Sequence, residues 1–236
     1  MWNYAHRGAS KDYPENTVLA FEQAIKQGAT GVEVDVHLTK DGHLVINHDE
    51  DVARTYFGRG FIKDYTLEEL KKLENRSGDC QIPTLQEVFD VIKRFNARIL
   101  IEIKTKIVPY KDIEQKVIDT IIENDYLDKT TIVSFCGDSI KKCRELNDEV
   151  ALGLISFLLT PDVEREAQEY GVSLLSLNFV PLTRSVVTGL KKQGFSVITY
   201  TVNNEDTMER MMDYGVNGIV TDYPGLLHKM IVQNDN

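Results

Sequence analysis

Eight short β-rich runs alternate with amphipathic helical patterns along this chain, and that alternation leaves few folds open to it. The strand-like runs lie at 2–6, 31–36, 97–103, 131–135, 150–156, 172–178, 195–202 and 217–222. NTVLAFEQAIKQG sets Val18, Phe21, Ala24 and Ile25 on one helical face and ends at Gly28, a residue suited to helix termination. TLQEVFDVIKRF opens with Thr84 and has Glu87 three residues on, the pattern of a capping box. KDIEQKVIDTIIEND, DSIKKCREL, DVEREAQEYG, TRSVVTGLKKQG, NEDTMERMMDYG and GLLHKMIVQ continue the helical series, and Met208, Met211 and Met212 fall at core spacing. The expectation is an α/β chain folded as a single parallel (β/α)8 barrel over residues 1–236. An open doubly wound sheet is the nearest alternative. The barrel is preferred on the count of units, and because the polar residues of interest fall at strand C-terminal ends, where barrel sites form.

One connection is out of proportion. Segment 37–83 separates the second strand-like run from its helix, whereas such loops usually span about two to six residues. It is read as a long insertion that forms a hairpin and a cap. LTKDGHLVINHD carries the turn signal Asp41-Gly42. Tyr56, Phe57, Phe61 and Tyr65 then make an aromatic stretch expected to act as a lid or substrate cap.

The chemistry concentrates in five residues. Glu33 and Asp35 are two apart in a strand-like run and so face the same way. Adjacent carboxylates on one side of a buried strand repel unless a cation lies between them. With Glu102 in ILIEIK they make an oxygen-only set expected to hold one divalent cation, Mg²⁺ or Ca²⁺, with Mn²⁺ also suitable. Simple ion pairing to Lys or Arg is the plainer alternative. His6 in YAHRGAS and His48 in VINHDE supply proton-transfer groups. Lys104 shares the side of its strand with Glu102. His37 follows Asp35 by two and is a fourth ligand candidate on alternation alone; it is read as a hydrogen-bonding neighbour. Asn16 is expected to cap the first helix and Glu15 to support the site, while His43 and His228 read as exposed and ordinary.

The net charge of -10 and pI of about 5.0 argue against a nucleic-acid or anionic-membrane surface. The N-terminus lacks the basic and apolar regions of a signal peptide, and no apolar run is long enough to span a bilayer. Cys80, Cys136 and Cys143 show no CxxC spacing and fit a reducing compartment. A cytoplasmic protein without stable membrane insertion is expected, with a homo-oligomer left open as its assembly state.

Taken in order, AHRGAS, PENTVLAFEQAIKQGATGVEVDVHLTKDGHLVINHDEDVARTYFGRG, IPTLQEVF, ILIEIKT and VNGIVTDYP resemble the glycerophosphodiester phosphodiesterases from Tyr4 to Pro224. The resemblance implies a TIM barrel, a divalent cation, and hydrolysis of a small glycerophosphodiester to sn-glycerol 3-phosphate and an alcohol. It places His6 and Arg7 on the family's HR pair, Glu33 and Asp35 on its metal-binding E-x-D, His48 on its second catalytic histidine, and Glu102 and Lys104 on its E-x-K. Arg7 and Lys104 are then expected to contact phosphate. Tyr200 stands before T-x-N where the family often has Trp, and is expected to touch the glycerol or alcohol portion. Which histidine is acid and which is base stays open, as does attack by the substrate's own hydroxyl or by water. A barrel lyase or isomerase working through an enolate, a barrel that binds without turnover, and a sphingomyelinase-D-like phospholipase are the competing readings. The last is disfavoured because no exposed-apolar insertion signal stands out.

Overall fold

The computed structural model describes residues 1–234. Among these, eight parallel strands close into a barrel: β1 (Trp2–His6), β2 (Gly31–Leu38), β4 (Arg98–Ile103), β5 (Thr130–Ser134), β6 (Ala151–Ser156), β7 (Leu174–Asn178), β8 (Ser196–Tyr200) and β9 (Gly218–Thr221). Closure is made by β1, which pairs with β2 at Ala5↔Val32 and with β9 at Tyr4↔Val220. The outer layer is built from α1 (Val18–Lys26), α3 (Leu85–Phe95), α4 (Ile113–Glu123), α5 (Gly137–Leu146), α6 (Pro161–Glu169), α7 (Arg184–Lys192), α8 (Glu205–Asp213) and α9 (Pro224–Asn234). None of the helices is long and apolar enough to cross a membrane.

Alternation along each strand divides the residues between two cores. Val32, Val34 and Val36 point outward into the layer shared with Phe21, Phe89 and Ile92. Inside the barrel Tyr4, Leu100, Val133, Leu174, Ile198 and Val220 form a separate apolar plug. Two residues further along each of those chains stand His6, Glu102, Phe135, Ser176, Tyr200 and Asp222. The same period therefore fills the barrel floor and hands the next inward position, at the C-terminal mouth, to a residue of chemical interest.

Local signals end the elements where the pattern requires. Gly28 adopts φ +94° past the end of α1, a conformation open to glycine, and its N–H donates to the Ile25 carbonyl at 2.9 Å. The Thr84–Glu87 capping box forms in both directions: the Glu87 N–H donates to Thr84 Oγ1 at 3.2 Å, and the Thr84 N–H to Glu87 Oε2 at 2.7 Å. Met208 and Met211 are fully buried and Met212 packs beside them. One capping expectation is corrected. Thr17 is the N-cap of α1, and Asn16, at φ +54°, turns its side chain inward instead.

Between β2 and α3 the chain forms β3 (Leu44–Ile46), paired antiparallel to β2 across the Asp41-Gly42 turn. A 3₁₀ turn at Ile62–Asp64 and the short α2 (Leu67–Lys71) follow. This stretch packs on its own small core of Val45, Val52, Tyr56, Ile62, Leu70 and Ile82.

Thr84→Ala removes the hydroxyl oxygen that accepts the Glu87 N–H in the α3 cap. A loss of about 1 kcal/mol is expected, or roughly 2–4 °C in Tm for a chain of this size, with Thr84→Ser largely retaining stability. Thermal melts of the two variants check this.

Candidate active site

Strands β2 and β4 lie side by side with Asp35 opposite Glu102. That register brings Glu33, Asp35 and Glu102 together, one carboxylate oxygen from each lying within 4.8 Å of the others. All three are buried. Lys104 Nζ lies 2.8 Å from Glu102 Oε1 and 3.4 Å from Asp35 Oδ1. Arg7, left-handed at φ +59° just past β1, donates its N–H to Glu33 Oε2 at 3.1 Å and sets Nε 3.5 Å from Asp35 Oδ2. Asn16 Nδ2 completes that oxygen's contacts at 2.8 Å.

Three acids thus face two cations, and the imbalance shows in their protonation. Burial pushes Glu33 well above the usual carboxylate range, and the charges of Asp35 and Glu102 push it further. Burial, reinforced by Asp35, raises Glu102 to about 7 against the pull of Lys104. Asp35 goes the other way: burial would raise it, but Lys104 and Arg7 outweigh that and hold it low. Asp35 Oδ1 is buried without a hydrogen bond. A convergent oxygen-only donor set, one of whose oxygens has the Lys104 ion pair at 3.4 Å but no hydrogen bond, fits a hard divalent cation.

Each histidine is gripped by a carboxylate. His6 Nδ1–H donates to Asp222 Oδ1 at 2.6 Å, and Asp222 also accepts from Ser10 Oγ at 3.1 Å and from Asn203 Nδ2 at 2.6 Å. Burial alone would raise Asp222; the bonds from His6, Asn203 and Ser10 keep it low and ionised. His48 Nδ1 lies 2.6 Å from Asp49 Oδ1. In both rings Nδ1 is thereby engaged, leaving Nε2 as the free nitrogen. Burial lowers the His48 pKa, with Arg7 and Lys104 adding to the effect and Asp35 opposing it.

Behind His48 runs a continuous relay. Arg54 Nε donates to Asp49 Oδ2 at 2.5 Å, and its two Nη groups clasp both oxygens of Glu15 at 2.7 and 2.8 Å. Glu15 Oε1 in turn accepts from Arg7 Nη1 at 2.9 Å. His37 braces the same residue from beneath. Its Nε2–H donates to the His48 carbonyl at 3.3 Å, so Nδ1 accepts from the Tyr110 hydroxyl at 2.9 Å. Burial drops His37 to about 4, which keeps it neutral. His43 is exposed beside Asp41, and His228 is also exposed.

A cavity of about 200 Å³ opens over this cluster. His6, Arg7, Glu33, His48 and Glu102 line one side; Phe135, Ile155, Phe157 and Tyr200 line the other. Phe135 and Phe157 stack at 5.1 Å, and Tyr200 meets both edge-on, its hydroxyl buried without a partner. Lys104 joins the acid cluster but does not line the cavity. Of segment 37–83 the cavity takes only His48. The aromatic residues expected to form a lid or substrate cap do not line the cavity: Tyr56 is buried in its own small core, Phe57 lies under the Arg76 guanidinium at 4.3 Å, and neither Phe61 nor Tyr65 reaches it. Asp222, Asp49, Arg54, Phe135 and Phe157 were not singled out from sequence. Phe135 and Asp222 were findable, each two residues past an inward apolar residue of its strand.

Residues 6–226 match the glycerophosphoryl diester phosphodiesterase family. The chain belongs to that family. A glycerophosphodiester phosphodiesterase from Caldanaerobacter subterraneus subsp. tengcongensis is 41% identical over 237 residues, covering 96% of each chain. One from Bacillus altitudinis is 36% identical, covering 94% of each. Among solved structures, an Oleispira antarctica phosphodiesterase in complex with the product sn-glycerol-3-phosphate superposes with a TM-score of 0.88 at 27% identity, over 98% of this chain and 97% of that one. The protein is accordingly an enzyme of the phosphoric diester hydrolase class.

Two outcomes follow for a member of this family built on such a cluster. Glu33 and Glu102 have raised folded-state pKa values, so their stabilising contribution is present below pH ~4.5 and is lost as pH rises through the folded values, near 7 for Glu102. In EDTA, Tm should fall between pH 5 and pH 8, with Glu102 contributing at most ~3 kcal/mol. Added Mg²⁺ or Ca²⁺ should restore more at pH 8 than at pH 5, and Glu102→Gln should flatten the decline. A decline unchanged in that variant would refute the assignment. Separately, Arg54→Ala breaks the relay at a half-exposed residue. Tm should move by less than ~1 kcal/mol equivalent while kcat on a glycerophosphodiester drops ~10-fold or more. Arg54→Lys, which lacks the fork, should not restore turnover.

Proposed function

We propose that this enzyme hydrolyses glycerophosphodiesters to sn-glycerol 3-phosphate and an alcohol, using one divalent cation and the imidazoles of His6 and His48. The observation that carries the reading is the convergence of a buried acid trio, two of whose members (Glu33 and Glu102) line the cavity, with two carboxylate-held histidines that line it too. The product seen in the Oleispira antarctica relative supports the same product here.

Glu33, Asp35 and Glu102 would hold the cation. Bound there, Mg²⁺, Ca²⁺ or Mn²⁺ polarises the phosphoryl group and offsets charge growing on its oxygens. Arg7 lines the cavity and adds positive charge towards the phosphate. Lys104 does so from within the acid cluster, where Asp35 and Glu102 outweigh its burial and keep it protonated. His48, held neutral, is suited to take the proton from the attacking oxygen. His6, with Nδ1 fixed on Asp222, presents Nε2 to the leaving alkoxide. In net terms one P–O bond to the alcohol breaks, one forms to the nucleophile's oxygen, and one proton passes from nucleophile to leaving group. Tyr200 borders the organic portion of the substrate from the cavity's aromatic side.

Segment 37–83 serves this chemistry as a cap that delivers His48, pinned to the barrel by the Arg54–Glu15 clasp. The three free thiols, Cys80, Cys136 and Cys143, suit a cytoplasmic enzyme.

A coupled glycerol-3-phosphate assay on glycerophosphocholine and glycerophosphoethanolamine, with and without EDTA, tests the reading. Turnover that requires metal is expected. His6→Ala and His48→Ala should each lower kcat by ~10²–10⁴-fold at near wild-type Tm. Near wild-type kcat in either variant, or full activity in EDTA, would refute the corresponding role.

A further inference from the structure

Outside the barrel wall, in the helix layer, lies a buried carboxylate that the reaction does not use. Glu114, in the first turn of α4, is only 5% exposed. Its Oε1 accepts from Ser139 Oγ of α5 at 2.7 Å, and Lys142 Nζ lies 3.0 Å from its Oε2. Ser139 Oγ in turn lies 2.6 Å from Thr105 Oγ1. An ion-paired carboxylate only accepts, so Ser139 donates its proton to Glu114 and accepts one from the Thr105 hydroxyl. The relay therefore runs in one direction, from Thr105 through Ser139 to Glu114. Thr105 stands where packing alone would place a hydrocarbon. Ile99, Ile101 and Ile103 of the same run face the helix layer, and Thr105 continues their alternation. A buried ion pair with its polar partners is commonly no more stabilising than apolar side chains of similar volume. What the relay adds is a fixed geometry, and the point it fixes adjoins Lys104.

The backbone around Lys104 is held from three directions. The Lys104 N–H donates to the Val36 carbonyl of β2 at 3.2 Å, Ser134 Oγ of β5 donates to the Ile103 carbonyl at 2.8 Å, and the Thr105 side chain ties to α5 and through it to α4. Lys104 itself turns into the acid cluster, where its Nζ meets Glu102 and Asp35. A lysine carries its charge on a long flexible stem, so where the ammonium rests depends on how firmly the backbone beneath it is set. We infer that Thr105, Ser139 and Glu114 are positioning residues for Lys104, setting the end of β4 so that the ammonium is delivered onto Glu102 and Asp35. This rests on the phosphodiesterase reading of the site, in which Lys104 supplies positive charge to the phosphate. None of the three lines the cavity, so their influence on the rate passes through Lys104 and not through contact with substrate. A mere staple between α4 and α5 would use the same bonds; the two roles differ in whether the effect of losing them depends on Lys104.

The test is a double-mutant cycle on kcat/KM for glycerophosphocholine with Mg²⁺ supplied. Thr105→Val keeps the side-chain shape and deletes the hydroxyl. A fall of ~10-fold or more is expected, with Thr105→Ser staying within about twofold of wild type. In a Lys104→Met background, Thr105→Val should bring no further loss, because the group it positions is gone. A triple variant, Thr105→Val/Ser139→Ala/Glu114→Leu, replaces the whole relay by apolar groups. It should melt no lower than wild type and still lose ~10-fold in kcat/KM. Wild-type kcat/KM in Thr105→Val overturns the inference. So does an equal loss in both backgrounds, and so does a loss that tracks a fall in Tm across the set, which gives the relay to the fold alone. In each of these cases the phosphodiesterase reading stands, since the wild-type enzyme turns over. No turnover by the wild type of glycerophosphocholine or glycerophosphoethanolamine defeats that reading and the positioning role with it.

Discussion

Mutual repulsion among Glu33, Asp35 and Glu102 is the constraint around which this barrel is arranged. Carboxylates taken out of water onto two adjacent strands cannot all stay ionised without positive charge close by. The protein answers with Arg7 and Lys104, and two cations against three acids leave Glu33 and Glu102 drawn towards the neutral form. The residual deficit lies on the buried oxygen of Asp35 that has no hydrogen bond. A dication would meet that need in a way that another lysine would not, because it would bring two charges to one position among the three carboxylates. The unusual backbone at Arg7 and Asn16 follows from the same demand. Both take positive φ, and both turn side-chain donors onto Asp35.

The two histidines are held in different ways. His6 sits at the end of a barrel strand, its partner Asp222 at the end of the adjacent strand, so the pair is held by the sheet itself. His48 belongs to a stretch outside the barrel wall and needs more support. It receives this on two sides: from Asp49 and Arg54 above, and from His37 through its backbone carbonyl below. Because Glu15 bonds both Arg7 and Arg54, displacement of the His48 stretch would also disturb the arginine beside the acid trio. The His48 stretch and the acid trio are thereby tied to one electrostatic network.

Most of the architecture was legible because barrel strands obey a strict period. Glu33 and Asp35 had to share a face, and the register of β2 on β4 brought Glu102 to them. What sequence missed were contacts made across long separations. Nothing local marks Asp222 as the partner of His6, since the two stand 216 positions apart and the bond exists only because β9 closes onto β1. Asn16 looked like a helix cap because its residue type favours caps, yet Thr17 fills that role and frees Asn16 for Asp35. The aromatic stretch at 56–65 misled for a related reason. Its aromatic count pointed to a lid or substrate cap, whereas Tyr56 is consumed by a small local core that this stretch needs in order to hold any shape.

The same logic explains why the cavity's apolar side escaped notice. Phe135, Phe157 and Tyr200 come from three strands separated by whole β/α units, so no window of sequence contains two of them together. Only barrel closure stacks the phenylalanine pair and turns Tyr200 edge-on to both. A tyrosine at this position keeps an aromatic edge while adding a hydroxyl that is buried without a partner. Such a group is costly unless something supplies a hydrogen bond. Tyr200 lines the cavity with Phe135 and Phe157, and the three packed rings give that side a fixed aromatic surface. The aromatic side would contribute orientation as well as apolar surface, which the acid trio and its cations, drawn to any phosphate, do not provide by themselves.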